Sequence, residues 1–170
     1  MVYTRGRKGA IAVKKLKLYL ETTVFNRYFE PEKKHHDETM MLFEEIAAGK
    51  FEVYTSIYVL EELSNTPDEA KRNDMLGLVT RYDVVILDRT DRAAALAEEY
   101  ARLGVITKTH TLDRLHVACA SVNHLDAVVS YNFEHINRLK VKKRLPHVNE
   151  IFGYPAVSII VPLEVIGNDE

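Results

Sequence analysis

The 170-residue chain has a single cysteine. No intramolecular disulfide can form, which excludes a secreted, stapled scaffold and a four-cysteine zinc site. Long apolar runs are missing as well. The longest are about five residues, against the ~20 that span a bilayer. Near the start, Arg5, Arg7 and Lys8 precede only Gly9–Val13 before Lys14, too short a stretch for a signal-peptide core. A cytoplasmic protein with no membrane segment is the expectation. Also lacking are a P-loop, a G-x-G-x-x-G turn and a G-x-S-x-G elbow, so nucleotide binding through those loops and α/β-hydrolase chemistry find no support. There is no repeat with a period of 20–50 residues and no low-complexity tract.

What is present is globular in character: 46% hydrophobic and 28% charged residues, with five Pro and seven Gly. At this length roughly 70% of the unfolded chain's surface can be buried, enough for a core without a metal or partner. Net charge is only −2, but it is segregated. Residues 1–20 hold Arg5, Arg7, Lys8, Lys14, Lys15 and Lys17 with no acid, and residues 138–144 hold Arg138, Lys140, Lys142, Lys143 and Arg144 with no acid. The rest of the chain sets 12 cations against 25 acids. A cationic surface and an acidic centre follow, although basic runs are often only solvated faces. Residues 1–14 read as a basic leader adding little to the core, and 15–170 as a single domain.

Beyond the leader, short β-rich runs alternate with helical ones. Leu16–Leu20 reads as a first strand and Phe51–Thr55 as a second. Val84–Leu87 reads as a short buried strand, followed by strands at Ala127–Ser130 and Val157–Val161. Between them, Thr22 or Thr23 can cap a short helix. A second runs from Asp37 to Ala48 with Met40, Phe43 and Ala47 on one stripe and Gly49 as its stop. Ser56 N-caps a helix to about Ser64, and Pro67 takes the first position of the next. Further helices are expected over Asp91–Leu103, ended by Gly104, and from Thr109 or Thr111 to about Asn123. Alternating strands and helices imply a mostly parallel sheet covered by helices on both faces, an α/β fold. Sites in such sheets form outside the carboxyl ends of the strands.

Four residues stand at those ends. Glu21 directly follows the first strand, Glu62 lies about two turns into the helix after the second, Asp113 lies in the first turn of the 109–123 helix, and Asn132 sits two residues beyond Ser130. Three carboxylates converging at one sheet edge would need a compensating cation, since two of them ~4 Å apart repel by about 4 kcal/mol at an effective dielectric of 20. Hard oxygen donors suit Mg²⁺ or Mn²⁺. Each residue alone also has a plainer reading: a turn residue for Glu21, an exposed helix residue for Glu62, a helix-dipole carboxylate for Asp113 and a turn cap for Asn132. Leu112, Leu115, Cys119 and Val122 form one apolar stripe of the 109–123 helix, and Asp113, His116 and Ala120 the neighbouring one. His116 and Cys119 stand at i, i+3 with no second ligand pair, which argues against zinc there, and the mid-helix apolar setting argues against Cys119 as a nucleophile. His35–His36 reads as a solvated helix start. His135 reads equally as an orienting group or a surface histidine.

The surroundings of the four residues resemble a known family. Tyr19-Leu20-Glu21-Thr22-Thr23-Val24-Phe25-Asn26 is similar to the strand-end motif that opens PIN-domain nucleases. Ser56 followed by Glu62-Leu63 resembles the second-acid segment, and Asp113-Arg114-Leu115-His116-Val117-Ala118-Cys119-Ala120 the D-x-L-H-x-A-x-A helix. Ser130-Tyr131-Asn132-Phe133 resembles the late [ST]-x-D/N segment. The matches run in family order over about residues 16–136, and the chain is identified as a PIN-domain protein related to VapC-type toxins. Two positions depart from the pattern. Glu21 stands where Asp is usual, reaching roughly 1 Å further. Asn132 stands where Asp is frequent, leaving three formal charges rather than four.

The resemblance implies a three-layer PIN-like fold and a Mg²⁺- or Mn²⁺-dependent endoribonuclease, the toxin half of a type II toxin–antitoxin pair. Its site is Glu21, Glu62, Asp113 and Asn132, the three acids holding the metal, with Thr22, Arg114 and Ser130 contacting substrate. Its partners are RNA, a cognate antitoxin and a second copy in a homodimer. Lys108 is a further candidate for phosphate contact, and Tyr131 and Phe133 can stack on bases or belong to the core. Two other classes remain: a catalytically weak PIN fold that binds RNA or protein, and a small-molecule phosphatase-like hydrolase using the same acids.

Overall fold

A computed structural model describes residues 14–167. Five strands, β1 (Leu16–Leu20), β2 (Phe51–Ser56), β3 (Val85–Leu87), β4 (Ala127–Val129) and β5 (Ser158–Ile160), form one sheet in the order β3-β2-β1-β4-β5. Every pairing is parallel, with Tyr19 opposite Tyr54 on one side of β1 and Val128 on the other. Leu18, Tyr19 and Leu20 are all buried, as are all three residues of β4. Successive side chains point to opposite faces. The central strands are therefore covered on both sides, as a three-layer α/β fold requires.

The covering helices are α1 (Thr22–Tyr28), α2 (His36–Ala47), α3 (Ile57–Ser64), α4 (Glu69–Arg81), α5 (Asp91–Arg102), α6 (Thr111–Val122) and α7 (Leu139–Ile151). Several pack in pairs, α1 on α2, α3 on α4 and α5 on α6. The last pair is joined to α7 by a buried polar knot. Tyr100 Oη donates to Asn149 Oδ1 at 2.5 Å, and Asn149 Nδ2 donates to Ser121 Oγ at 2.9 Å.

Several expectations shift. The buried face of α2 is Thr39, Leu42, Phe43 and Ile46, while Ala47 is exposed. Gly49 does end it, with φ at +76°. Pro67 lies outside α4, whose N-cap is Asp68, accepting from Lys71 N at 3.0 Å. β3 is an edge strand with Val85 and Ile86 about half exposed, because only β2 pairs with it. His35 caps α2 in the left-handed region (φ +71°) and stacks on Tyr131, so this helix start is ordered by contacts rather than solvated. The sequence reading missed α7 altogether. The expected leader, residues 1–14, lies outside the described residues except for Lys14, which is exposed.

Candidate active site

β1 sits between β2 and β4, whose chain connections run in opposite directions across the sheet. Its carboxyl end is therefore the switch point where parallel sheets open a crevice. Glu21 stands there, 3% exposed. Its carboxylate, not Thr22 or Thr23, caps α1: Oε2 accepts from Thr23 N at 3.1 Å and Thr23 Oγ1 at 2.5 Å. Ser130, just past β4, donates its hydroxyl to the same oxygen at 2.8 Å. Thr23 Oγ1 in turn accepts from Tyr131 N at 2.8 Å, tying the ends of β1 and β4 together.

The second acid arrives from α3. Ser56 is the N-cap residue of that helix but makes no side-chain cap bond, because its hydroxyl meets Tyr19 Oη at 2.6 Å. Tyr19 also contacts His116 Nδ1 at 2.8 Å, and His116 Nε2 lies 2.8 Å from Glu62 Oε2. Thr22 Oγ1 donates to that same Glu62 oxygen. A continuous polar line, Ser56–Tyr19–His116–Glu62–Thr22, thus crosses from β2 through β1 and α6 to α3 and back to α1. His116 is fully buried. Donor atoms of Glu21, Glu62 and His116 lie within 4.8 Å of one another.

Asp113 enters from the first turn of α6, which His110 precedes as N-cap residue without a side-chain cap bond. Asn132 Nδ2 donates to Asp113 Oδ1 at 3.0 Å, while Asn132 Oδ1 accepts from His135 N at 3.1 Å. Both ends of the Asn132 amide are thereby occupied. The residue orients Asp113 and also closes a local turn. Asp113 and Glu62 line one open cleft together with Thr109, His110, Thr111 and Leu112.

The electrostatics follow from burial against one imidazole. Burial pushes the Glu21 carboxyl up, with His116 acting in the opposite direction. Burial also raises Asp113 against the pull of His116 and other histidines. For Glu62 burial works upward too, but the hydrogen bond and charge of His116 outweigh it and the carboxyl is held low. Burial disfavours the charged form of His116, yet Glu62, Glu21 and Asp113 together raise its pKa. The one buried imidazole is thus linked electrostatically to all three acids.

The donor set fits a hard divalent cation. Among the described residues every hydrogen bond to the carboxylates of Glu21 and Glu62 falls on Oε2, leaving Oε1 of each without a donor. Both carboxylates keep an oxygen available to an ion.

Arg114 is a correction. It is 3% exposed, and its guanidinium is turned inward, donating to the carbonyls of Thr107 (2.8 Å) and Lys108 (2.7 Å) and to Glu98. It pins the loop ahead of α6 and is not open to a phosphate. Lys108 is exposed. Of the two aromatic candidates, Tyr131 is buried with its hydroxyl on Thr39 and the His35 carbonyl, while Phe133 is half exposed. Cys119 is buried, which pushes its thiol up to about 12, and it shares no ligand geometry with His116. Leu112 lies exposed rather than in an apolar stripe, and α6 is buried on all sides from His116 onward.

Tyr19, Thr23 and His116 are the site residues that sequence reasoning missed. Strand alternation puts Tyr19 on the same face as Glu21, and helical spacing puts His116 three residues from Asp113. Those two offsets were the available signals.

An all-parallel α/β protein with acids gathered at the switch point of its sheet is the class that fold and site define. The sequence matches the PIN domain family over residues 18–142, and the chain belongs to that family. No curated protein matches it. Two solved structures share the fold. The sarcin-ricin-loop-cleaving toxin VapC20 of Mycobacterium tuberculosis is 15% identical, with a TM-score of 0.50 over 69% of this chain and 91% of that one. A chain of the VapBC2 complex of Rickettsia felis, bound to a DNA fragment from its promoter, is 16% identical, with a TM-score of 0.55 over 85% of this chain and 99% of the other.

Proposed function

We propose that the protein is a metal-dependent endoribonuclease, the toxin component of a type II toxin–antitoxin pair, with residues 15–170 forming its single domain. The observation that carries this reading is the meeting of Glu21 and Glu62 at one buried imidazole, with Asp113 lining the same open cleft as Glu62. Mg²⁺ or Mn²⁺ is the ion these oxygens suit. Such an ion, when bound, supplies polarisation of a phosphoryl oxygen and an activated water.

The chain's own residues prepare the place. Thr22 and His116 hold Glu62, Ser130 and Thr23 hold Glu21, and Asn132 holds Asp113. Thr22 and Ser130 thus act on the acids rather than directly on RNA. Cations stand beside the cleft: Arg138 and Lys140, with His110 and His135, line the neighbouring depression. These, with exposed Lys108, are the candidates for backbone phosphates, and Phe133 for a base. The VapBC2 assembly supports an antitoxin as partner. RNA as substrate, a homodimer and a cytoplasmic setting complete the proposal. Among the described residues no helix is long and apolar enough to cross a membrane.

One observation favours the alternative of a catalytically weak PIN fold that binds RNA or protein. Glu21 spends one oxygen on capping α1 and closing the β1–β4 end. A single assay separates the readings: incubation with generic single-stranded RNA in Mn²⁺, in Mg²⁺ and in EDTA. Cleavage with metal and none in EDTA is the expected result. RNA retained but intact under all three conditions gives the reading to the alternative.

A further inference from the structure

A second group of ligand-type side chains gathers at Asp113. His110 precedes α6, and its Nδ1 lies 3.8 Å from Asp113 Oδ2. His135, in the segment after β4, stacks its ring on that of His110, with centroids 3.6 Å apart and planes 25° from parallel. One donor atom from each of His110, Asp113 and His135 falls within 4.8 Å of the other two. The three come from two distant stretches of chain, so sequence proximity alone does not explain the grouping. Asn132 fixes both halves, donating to Asp113 Oδ1 and accepting from the His135 amide. The bond to Asp113 is the kind of outer support that orients a carboxylate ligand in metal sites, and the bond to the His135 amide fixes the backbone that carries the ring.

The donor chemistry differs from that of the acidic centre. Two imidazoles and one carboxylate suit borderline transition-metal ions rather than Mg²⁺. We propose that His110, His135 and Asp113 form a binding site for Zn²⁺ or an ion of its class, distinct in ligand type from the carboxylate centre and sharing Asp113 with it. Ligand bonds of about 2.0–2.1 Å around a tetrahedral ion place donors about 3.3 Å apart, so the triad must close slightly. Both histidine side chains are 32% exposed, which leaves the rings room to rotate. Three protein ligands leave a fourth position for water or a substrate oxygen.

The test uses the purified full-length protein, stripped with EDTA and titrated with Zn²⁺ against a chromophoric chelator, in parallel with His110→Ala, His135→Ala and the double variant. Co²⁺ replaces Zn²⁺ in a second series, where visible d–d absorption reports coordination by protein ligands. Melting temperature in chelator confirms that each variant folds, and His135→Gln stands in where the alanine variant does not. The parent should take up one Zn²⁺ more than the double variant, each single variant should bind that ion about tenfold or more weakly, and the Co²⁺ bands it contributes should vanish in the double variant. No RNA or Mn²⁺ enters the measurement, and zinc taken up by Glu21, Glu62 and His116 is common to the parent and the double variant, so the difference between the two reads the proposed site separately from the nuclease reading. Equal zinc uptake by the parent and the double variant, or a parent that binds no zinc, overturns the proposal.

Discussion

Tyr19 shows how much of the site depends on one buried hydroxyl. It lies 2.6 Å from Ser56 Oγ and 2.8 Å from His116 Nδ1, with no water-facing alternative. Tyr19→Phe should leave His116 and Ser56 without that partner and cost about 1–3 kcal/mol. At this chain length that corresponds to a fall in melting temperature of roughly 2–4 °C per kcal/mol, readable by calorimetry. An unchanged melting temperature would mean that the line from β2 to α3 is not cohesive. The positions of Glu21, Asp113 and Asn132 were legible because they follow a strand or open a helix, and that of Glu62 because it lies about two turns into the helix after β2, and local periodicity locates such positions. The Tyr19–His116 contact was not, since it spans 97 residues and depends on which strand lies beside which helix. Arg114 misled for the complementary reason. Its neighbour Asp113 faces the cleft, but the next side chain along a helix points elsewhere.

Among the elements, α7 was the one the sequence concealed. Pro146 sits in its interior, and the preceding run of cations reads as a charge feature. The helix is nevertheless marked by Val141, Leu145 and Val148, buried at i, i+4 and i+7 spacing. It persists through the proline because tertiary burial outweighs one lost hydrogen bond. β3 erred the other way, since an apolar run of four reads as buried while its edge position exposes it. The join between α1 and α4 carries a pH dependence. Glu30, just past α1, lies 3.3 Å from Lys71 of α4 and 3.3 Å from Lys33. Burial works to raise the Glu30 carboxyl, but the hydrogen bonds and charges of the two lysines prevail and hold it below its ordinary value. A depressed carboxylate stabilises the fold fully above the usual glutamate range and loses that contribution as pH falls toward its folded pKa. Glu30→Gln should therefore melt below the parent at pH 7, and the gap should close in acid. A gap independent of pH would assign the difference to packing instead.

At the scale of the whole molecule, the charge segregation visible in the sequence takes a spatial form. Glu21 and Glu62 meet at the carboxyl end of β1, while exposed Arg138, Lys140, Lys143 and Arg144 lie on or beside α7. Affinity for single-stranded RNA should fall with rising salt, and Lys140→Ala should lower the log–log slope by roughly 0.7, one phosphate contact's share. A slope unaffected by that substitution would remove the basic run from the RNA path. The central claim is that the gathered acids hold a divalent ion for phosphodiester cleavage. It is tested most directly by Asp113→Asn, assayed for Mn²⁺-dependent cleavage of single-stranded RNA alongside the melting temperature of the metal-free protein. The near-isosteric amide can keep the bond from Asn132 and removes a carboxylate whose ionised form burial disfavours. The variant should thus melt at or slightly above the parent. Its cleavage should be lost while its RNA binding persists. Undiminished cleavage by a folded Asp113→Asn protein would contradict the claim and take Asp113 out of the metal site.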